Sequence, residues 1–180
     1  ILYTLASRNK MIGKAQSETV VGTTMSNQGV VEALGKLGID FIRASVGDKY
    51  VSRELVKNKL NLGAEPSGHV IQREFSESGD ANIALIQTLS AIQELDTTIG
   101  EIKNNIDYKP SSIRNFSVLD VEIIESKAFI DSIEKIQKNN PAARISVRKS
   151  GTEPVIRVMV EAETEKDKDL IFAEIETSIS

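Results

Sequence analysis

Apolar residues recur along this chain in two alternating rhythms. The β-branched run TVVG over 19–22 predicts a short buried strand. Behind it, Val30, Val31, Ala33, Leu34 and Leu37 mark one face of a helix that Ser26 or Asn27 caps and Gly38 ends. The rhythm then repeats, with a strand over 39–44, a polar loop VGD and a helix over 49–57. Short extended pieces follow over 61–64 and 69–74. Asp80 caps a helix over 81–95 with apolar positions at Ile83, Ala84, Ile86, Leu89 and Ile92, and a shorter helix covers 98–105. A helix over 1–10 opens the chain. Strands alternating with helices predict an α/β fold, a doubly wound α/β/α domain on a parallel or mixed sheet.

After DYKPSS (107–112), a stretch of linker composition, the pattern changes. It predicts a strand over 114–118, a helix over 121–138, and strands over 144–148 and 155–162 spaced as a hairpin. Thr164 and Asp167 form a capping box that opens a last helix reaching about residue 179. This second domain is α+β, with an antiparallel sheet and two helices. The boundary falls near Pro110, giving domains 1–109 and 110–180.

Composition narrows the chemistry. The chain has 180 residues, no Cys and one His, which excludes a disulfide scaffold, a thiolate metal site, a Cys nucleophile and a multi-histidine site within it. A net charge of −4 argues against a general nucleic-acid binder. No apolar run approaches the ~18 residues that span a bilayer, and no signal peptide opens the chain. The expectation is a cytoplasmic protein without membrane partners. The first residue is Ile, so a piece of a longer chain is expected. The acid-rich stretch over 161–176 reads as the solvated face of the last helix. No P-loop, dinucleotide fingerprint, zinc spacing or nucleophile elbow occurs.

Against this acidic average, the stretch 135–157 holds six basic residues and one acid, Glu153. At its centre lies the predicted hairpin tip Arg148-Lys149-Ser150-Gly151-Thr152-Glu153-Pro154. Such a tip can turn backbone N–H groups inward as an anion nest. Ser150 and Thr152 add hydroxyls, and Gly151 lets the backbone approach an anion. Arg148 and Arg157 flank the tip with planar forks that match phosphate oxygens. A solvated turn with ordinary surface charge has the same composition. Arg157 adds weight to the cradle, because it interrupts an apolar strand where an idle charge is costly.

In the first domain three polar loops follow apolar runs, the position where open sheets bind ligands. They are TTMSN (23–27), the loop around Asp48 and Lys49, and Glu65-Pro66-Ser67-Gly68-His69. In an extended segment Glu65 and Ser67 share a face, and a carboxylate beside a hydroxyl suits adjacent sugar hydroxyls. A cap or turn role fits both residues as well. His69 precedes an apolar strand, where a lone His is ordinarily a hydrogen-bonded structural residue. Asp48 and Lys49 fit a functional pair or a plain helix start.

Taken together, these motifs resemble the α-D-phosphohexomutases. RKSGTEPVIRVMVE resembles their phosphate-binding loop, and GAEPSGH their Glu-x-Ser-Gly-His sugar loop. TTMSN and VGDKYV are similar to stretches of the bacterial phosphoglucosamine mutases. The matches fall in the family's order and cover nearly the whole chain. The resemblance implies the third and fourth of four domains, preceded by the last helix of the second. It implies that the whole protein interconverts glucosamine 6-phosphate and glucosamine 1-phosphate through a phosphoserine and a sugar bisphosphate, helped by Mg²⁺. No stretch here resembles the nucleophilic-serine loop or the metal loop, so this part is expected to be inactive alone. By the same resemblance Glu65, Ser67 and His69 face the sugar, with Asp48 and Lys49 nearby. Arg148, Ser150, Gly151, Thr152 and Arg157 hold the phosphate that is not reacting. Lys49 departs from the family's usual Arg. A phosphomannomutase or phosphoglucomutase of the same superfamily, and a stand-alone sugar-phosphate-binding module, remain as alternatives.

Overall fold

The structure, a computed structural model, describes residues 1–14, 16, 18–118, 120–150 and 153–179. The chain divides into two compact units, Ile1–Tyr108 and Lys109–Ser180.

The first unit runs α1 (Leu2–Met11), β1 (Thr19–Thr23), α2 (Gln28–Lys36), β2 (Asp40–Ala44), α3 (Asp48–Lys57), β3 (Leu62–Ala64), β4 (Val70–Gln72), α4 (Ala81–Glu94) and α5 (Ile99–Asn104). The strands lie in the order β2-β1-β3-β4, with β1 parallel to β2 and β3, and β4 antiparallel at the edge. Both faces of this sheet are covered, which explains why its strands read as continuous apolar runs. Val20, Leu62, Ala64 and Val70 pack with Leu5, Leu34, Ala84 and Ala91. Val21, Ala44 and Ile71 pack on the other side with Val51 and Leu55 of α3. Helix α1, expected to belong to a preceding domain, enters the first of these cores through Leu5 and Ala6.

Sequence signals mark most helix starts. Asn27 caps α2 by accepting from the Gly29 N–H, Asp80 caps α4 through Asn82 and Ile83, and Thr98 with Glu101 forms a capping box on α5. Helix α3 departs from expectation. Gly47 is its cap, and Asp48 is its first helical residue. Helix α4 also departs. Ala84 and Ala91 are buried, whereas Ile86 and Leu89 are 63% and 57% exposed. Of the apolar positions expected along α4, Ala84 is therefore in the core and Ile86 and Leu89 are not, because the small residues allow close approach to α1 and the sheet.

The second unit runs β5 (Ser111–Ser117), a 3-10 helix (Val121–Glu125), α6 (Lys127–Asn139), β6 (Arg144–Lys149), β7 (Val155–Glu161) and α7 (Glu165–Ile179). Its antiparallel sheet has the order β5-β7-β6. Ile156, Val158 and Val160 are fully buried, the last two in a core with Ile136, Ile171, Phe172 and Ile175. Ser111 and Ser112, expected in a linker, pair with Glu161 and Val160. The single helix expected over 121–138 is two, because Ser126 breaks the run and caps α6 by accepting from the Phe129 N–H at 3.2 Å.

Candidate functional site

In the first unit the parallel strands β1, β2 and β3 end at Thr23, Ala44 and Ala64. Their loops therefore gather at one edge, the usual ligand edge of an open sheet. Two side chains tie these loops together. Arg43 Nη1 donates to the Ser26 and Thr23 carbonyls at 2.7 and 3.2 Å, and its Nη2 donates to Gln28 Oε1 at 2.9 Å. Glu65 Oε1 accepts from the Gly47 N–H at 2.8 Å. Gly47 has φ +126, a conformation that other residues rarely adopt, so it can turn its N–H outward as α3 begins.

The sugar-type loop is a tight turn rather than the extended segment expected. Glu65 N–H donates to the His69 carbonyl at 2.9 Å, and Gly68 N–H to the Glu65 carbonyl at 3.1 Å. Gly68, at φ +102, supplies the left-handed step. The turn brings Glu65 and Ser67 together through His69. His69 Nδ1 lies 3.1 Å from Ser67 Oγ and 3.6 Å from Glu65 Oε2. Both contacts fall on the same ring nitrogen, so the three residues do not form a serine–histidine–acid relay, which uses one nitrogen for each neighbour. The Glu65 side chain is only 7% exposed, whereas that of His69 is 59% exposed. The result is a buried carboxylate under an open, polar turn. This arrangement can accept and donate hydrogen bonds to a neutral polyol.

Asp48 and Lys49 are exposed beside this turn. Asp48 Oδ1 accepts from the Lys49 N–H at 2.7 Å, and the Lys49 ammonium lies 4.9 Å from the Tyr50 ring centre. The structure thus brings Glu65, Ser67 and His69 into mutual contact, and it joins the Asp48 loop to them only through Gly47.

In the second unit β6 and β7 place Arg148 directly opposite Arg157. Arg157 alternates with the buried Ile156 and Val158, so both arginines stand on the face away from the helical core. Like charges opposite one another in a sheet are destabilising unless something neutralises them. Among the described residues the only counter-charge paired with them is Glu153, 3.3 Å from Arg157 Nη2 and itself 56% exposed. No hydrogen bond or ion pair engages the Arg148 side chain among the described residues. Two donors on this side are buried without a partner, Ser150 Oγ and Arg157 Nε. The Ser150 N–H donates to the Val155 carbonyl at 3.0 Å and closes the tip. Two opposed arginines, one with an unpartnered Nε, and the unpartnered Ser150 hydroxyl thus lie together on this side of the sheet, and guanidinium and hydroxyl donors of this kind are ones an anion can accept from. Gly151 and Thr152, expected in the same cradle, lie outside the described residues.

Lys149 departs from the tip and pairs with Glu122 and Glu125 of the 3-10 helix. No sequence signal marks this pairing, because the partners are distant along the chain. Arg43 carried a signal that went unused. Like Arg157 it is a charge inside an apolar strand, yet its donors are spent on the chain itself. Among the described residues no group of three or more His, Asp or Glu could hold a metal ion. Among these residues the Mg²⁺ implied by the resemblance therefore finds no fitting ligand set.

Comparisons with known proteins agree with this layout. Residues 1–108 match the phosphoglucomutase/phosphomannomutase alpha/beta/alpha domain III, and residues 113–178 match the phosphoglucomutase/phosphomannomutase C-terminal domain. The phosphoglucosamine mutase of Oceanobacillus iheyensis is 35% identical over 93% of this chain and 38% of its own length. That of Thermosipho africanus is 36% identical over 96% and 39%. This chain thus spans about two fifths of the curated relatives it matches. Among solved structures, an N-acetylglucosamine-phosphate mutase in its substrate complex superposes with a TM-score of 0.79 at 20% identity, over 99% of this chain and 43% of that one. Aspergillus fumigatus N-acetylphosphoglucosamine mutase, in complex with GlcNAc-6P and magnesium, also gives 0.79, at 18% identity over 99% and 46%. Two matched domains in sequence, covering nearly every residue, place the chain in the phosphoglucomutase/phosphomannomutase family, as its α/β/α domain III and its C-terminal domain.

Proposed function

We propose that this chain is the substrate-holding C-terminal part of a phosphoglucosamine mutase. Its first unit holds the sugar hydroxyls through Glu65, Ser67 and His69. Its second holds the phosphate that is not reacting through Arg148, Ser150 and Arg157, with Gly151 and Thr152 completing the tip. The observation that carries this reading is the pair of opposed arginines, with Arg157 Nε and the neighbouring Ser150 Oγ buried and partnerless. The names of the curated relatives support the amino-sugar assignment.

A mutase must present either end of one sugar to the same phosphoryl donor. It needs a phosphate anchor away from the reacting group, and sugar contacts that serve both orientations. The anchor contributes positioning rather than acid–base chemistry. In this reading the phosphoserine and the Mg²⁺ site belong to the rest of the protein, a sugar bisphosphate serves as activator, and the protein works in the cytoplasm.

The test has two arms. Titration of the 180-residue chain with glucosamine 6-phosphate should perturb the amide signals of Ser150 and Arg157, whereas glucosamine without phosphate should not. Absence of any perturbation at the tip would overturn the anchor. The chain by itself, given glucosamine 6-phosphate and glucosamine 1,6-bisphosphate, should show no turnover, and turnover would refute the division of labour. Relative kcat/KM of the whole protein on amino and neutral sugar phosphates separates this reading from a phosphomannomutase or phosphoglucomutase.

A further inference from the structure

Lys149 stands between Arg148 and Ser150 at the entrance to the anion tip, yet its ammonium is not part of the cradle. Alternation along β6 turns it away from the face that carries Arg148. There it lies 2.5 Å from Glu122 Oε2 and 2.6 Å from Glu125 Oε1. These glutamates are three residues apart in a 3-10 helix, where residues i and i+3 eclipse. Both carboxylates therefore stand over one edge and converge on one cation. In an α-helix the same spacing would fan them apart by about 60°. Asp120 and Ser126 bracket this helix. Asp120 Oδ1 accepts from the Glu122 N–H at 2.9 Å, and Ser126 starts α6 immediately afterwards.

The geometry points to Lys149 as a positioning residue for the phosphate tip, held by a carboxylate fork made of Glu122 and Glu125. The fork fixes Lys149, the last residue of β6, to the helical side of its unit. Arg148 and Ser150, one residue to either side, are thereby kept on the opposite, anion-facing side. The charges support this arrangement. The hydrogen bonds to Glu122 and then Glu125 push the Lys149 ammonium above its ordinary value, and the Lys149 hydrogen bond holds the Glu125 carboxyl below its own. This inference rests on the tip being an anion anchor and adds what orients it.

Charge and positioning make opposite predictions here. By charge alone, removing two carboxylates beside an anion site tightens anion binding. If the fork positions the tip, the same change loosens binding. Both glutamates are more than half exposed, so conversion to Gln leaves the cores intact. On the 180-residue chain, the double variant Glu122→Gln/Glu125→Gln should exchange its Lys149 and Ser150 amides about fivefold faster without ligand, the effect of two exposed ion pairs. Its Kd for inorganic phosphate, from NMR titration, should rise by about the same factor. Lys149→Met should behave alike, and Lys149→Arg should retain most of the wild-type values. Unchanged amide exchange overturns the inference, as does equal or tighter phosphate binding. If the wild-type tip takes up no phosphate, the anchor reading falls, and the ligand-free exchange comparison still decides whether the fork orders the tip.

Discussion

Replacing Arg157 by alanine separates an anion ligand from a structural charge. In the folded chain Arg157 makes one exposed ion pair, with Glu153 at 3.3 Å, and its Nε is buried without a partner. It also faces Arg148 across the β6–β7 ladder. Its removal costs one surface pair, worth about 0–1 kcal/mol, and relieves a like-charge contact of about 0.2–1 kcal/mol. These contributions nearly cancel, so the urea midpoint of Arg157→Ala should match wild type or lie slightly above it. Ligand binding should respond very differently. A charge-assisted hydrogen bond to phosphate is worth about 1.5–3 kcal/mol, or roughly ten- to 150-fold in Kd at 25 °C. Isothermal titration with glucosamine 6-phosphate, alongside urea unfolding followed by circular dichroism, reads both quantities. A midpoint that falls by the equivalent of about 2 kcal/mol with unchanged affinity would refute the reasoning and make Arg157 a fold residue. Arg157→Lys should recover part of the affinity only, because an ammonium lacks the guanidinium's planar fork.

Further outcomes follow from other contacts. Ser150→Ala deletes a buried hydroxyl that has no partner, so stability should hold while phosphate affinity drops about fivefold, as titration would show. Glu65→Ala removes the acceptor of the Gly47 N–H and should cost unit 1 about 1–3 kcal/mol in urea unfolding, with Glu65→Gln milder. Gly29→Ala would set a Cβ 1.9 Å from the Asp107 backbone carbonyl oxygen, and should destabilise by about 1–3 kcal/mol or more by the same assay. The Glu125 carboxyl is held low by Lys149, so the stability it contributes is full above the ordinary carboxylate value and is lost as pH falls through the depressed one. In Lys149→Met a ¹³C titration should return Glu125 to its ordinary value, and no change would contradict the fork.

Particular residues show where the sequence was readable. Asn27, Asp80, Thr98 and Ser126 each cap a helix by local hydrogen bonds, and such bonds depend on neighbours a few residues away. Ser126 shows the limit of that reading, because apolar periodicity ran straight through it and suggested one helix. Helix α4 fails for a related reason. Its sequence offers Ala84, Ile86 and Leu89 alike as apolar positions, but packing buries Ala84 with Ala91 and leaves Ile86 and Leu89 exposed. The charge in an apolar strand was a sound signal with two meanings. Arg157 keeps an orphaned donor beside another arginine, whereas Arg43 satisfies two carbonyls and a side-chain amide.

The two-part layout, the order of most elements and the chemical types in both polar centres are legible in the amino-acid order alone. Periodicity, caps and turn residues act over a few neighbours, so they survive in one dimension. The way those residues are placed against one another came from the folded arrangement. It made a turn of the Glu65–His69 segment and put one ring nitrogen of His69 between Ser67 and Glu65. It set Arg148 against Arg157 and left Ser150 Oγ and Arg157 Nε without partners. It also turned Lys149 out of the cradle and onto two glutamates more than twenty residues upstream. Hydrogen bonds and ion pairs act over a few ångströms in space. Which groups come that close is set by strand register and helix packing, not by spacing along the chain.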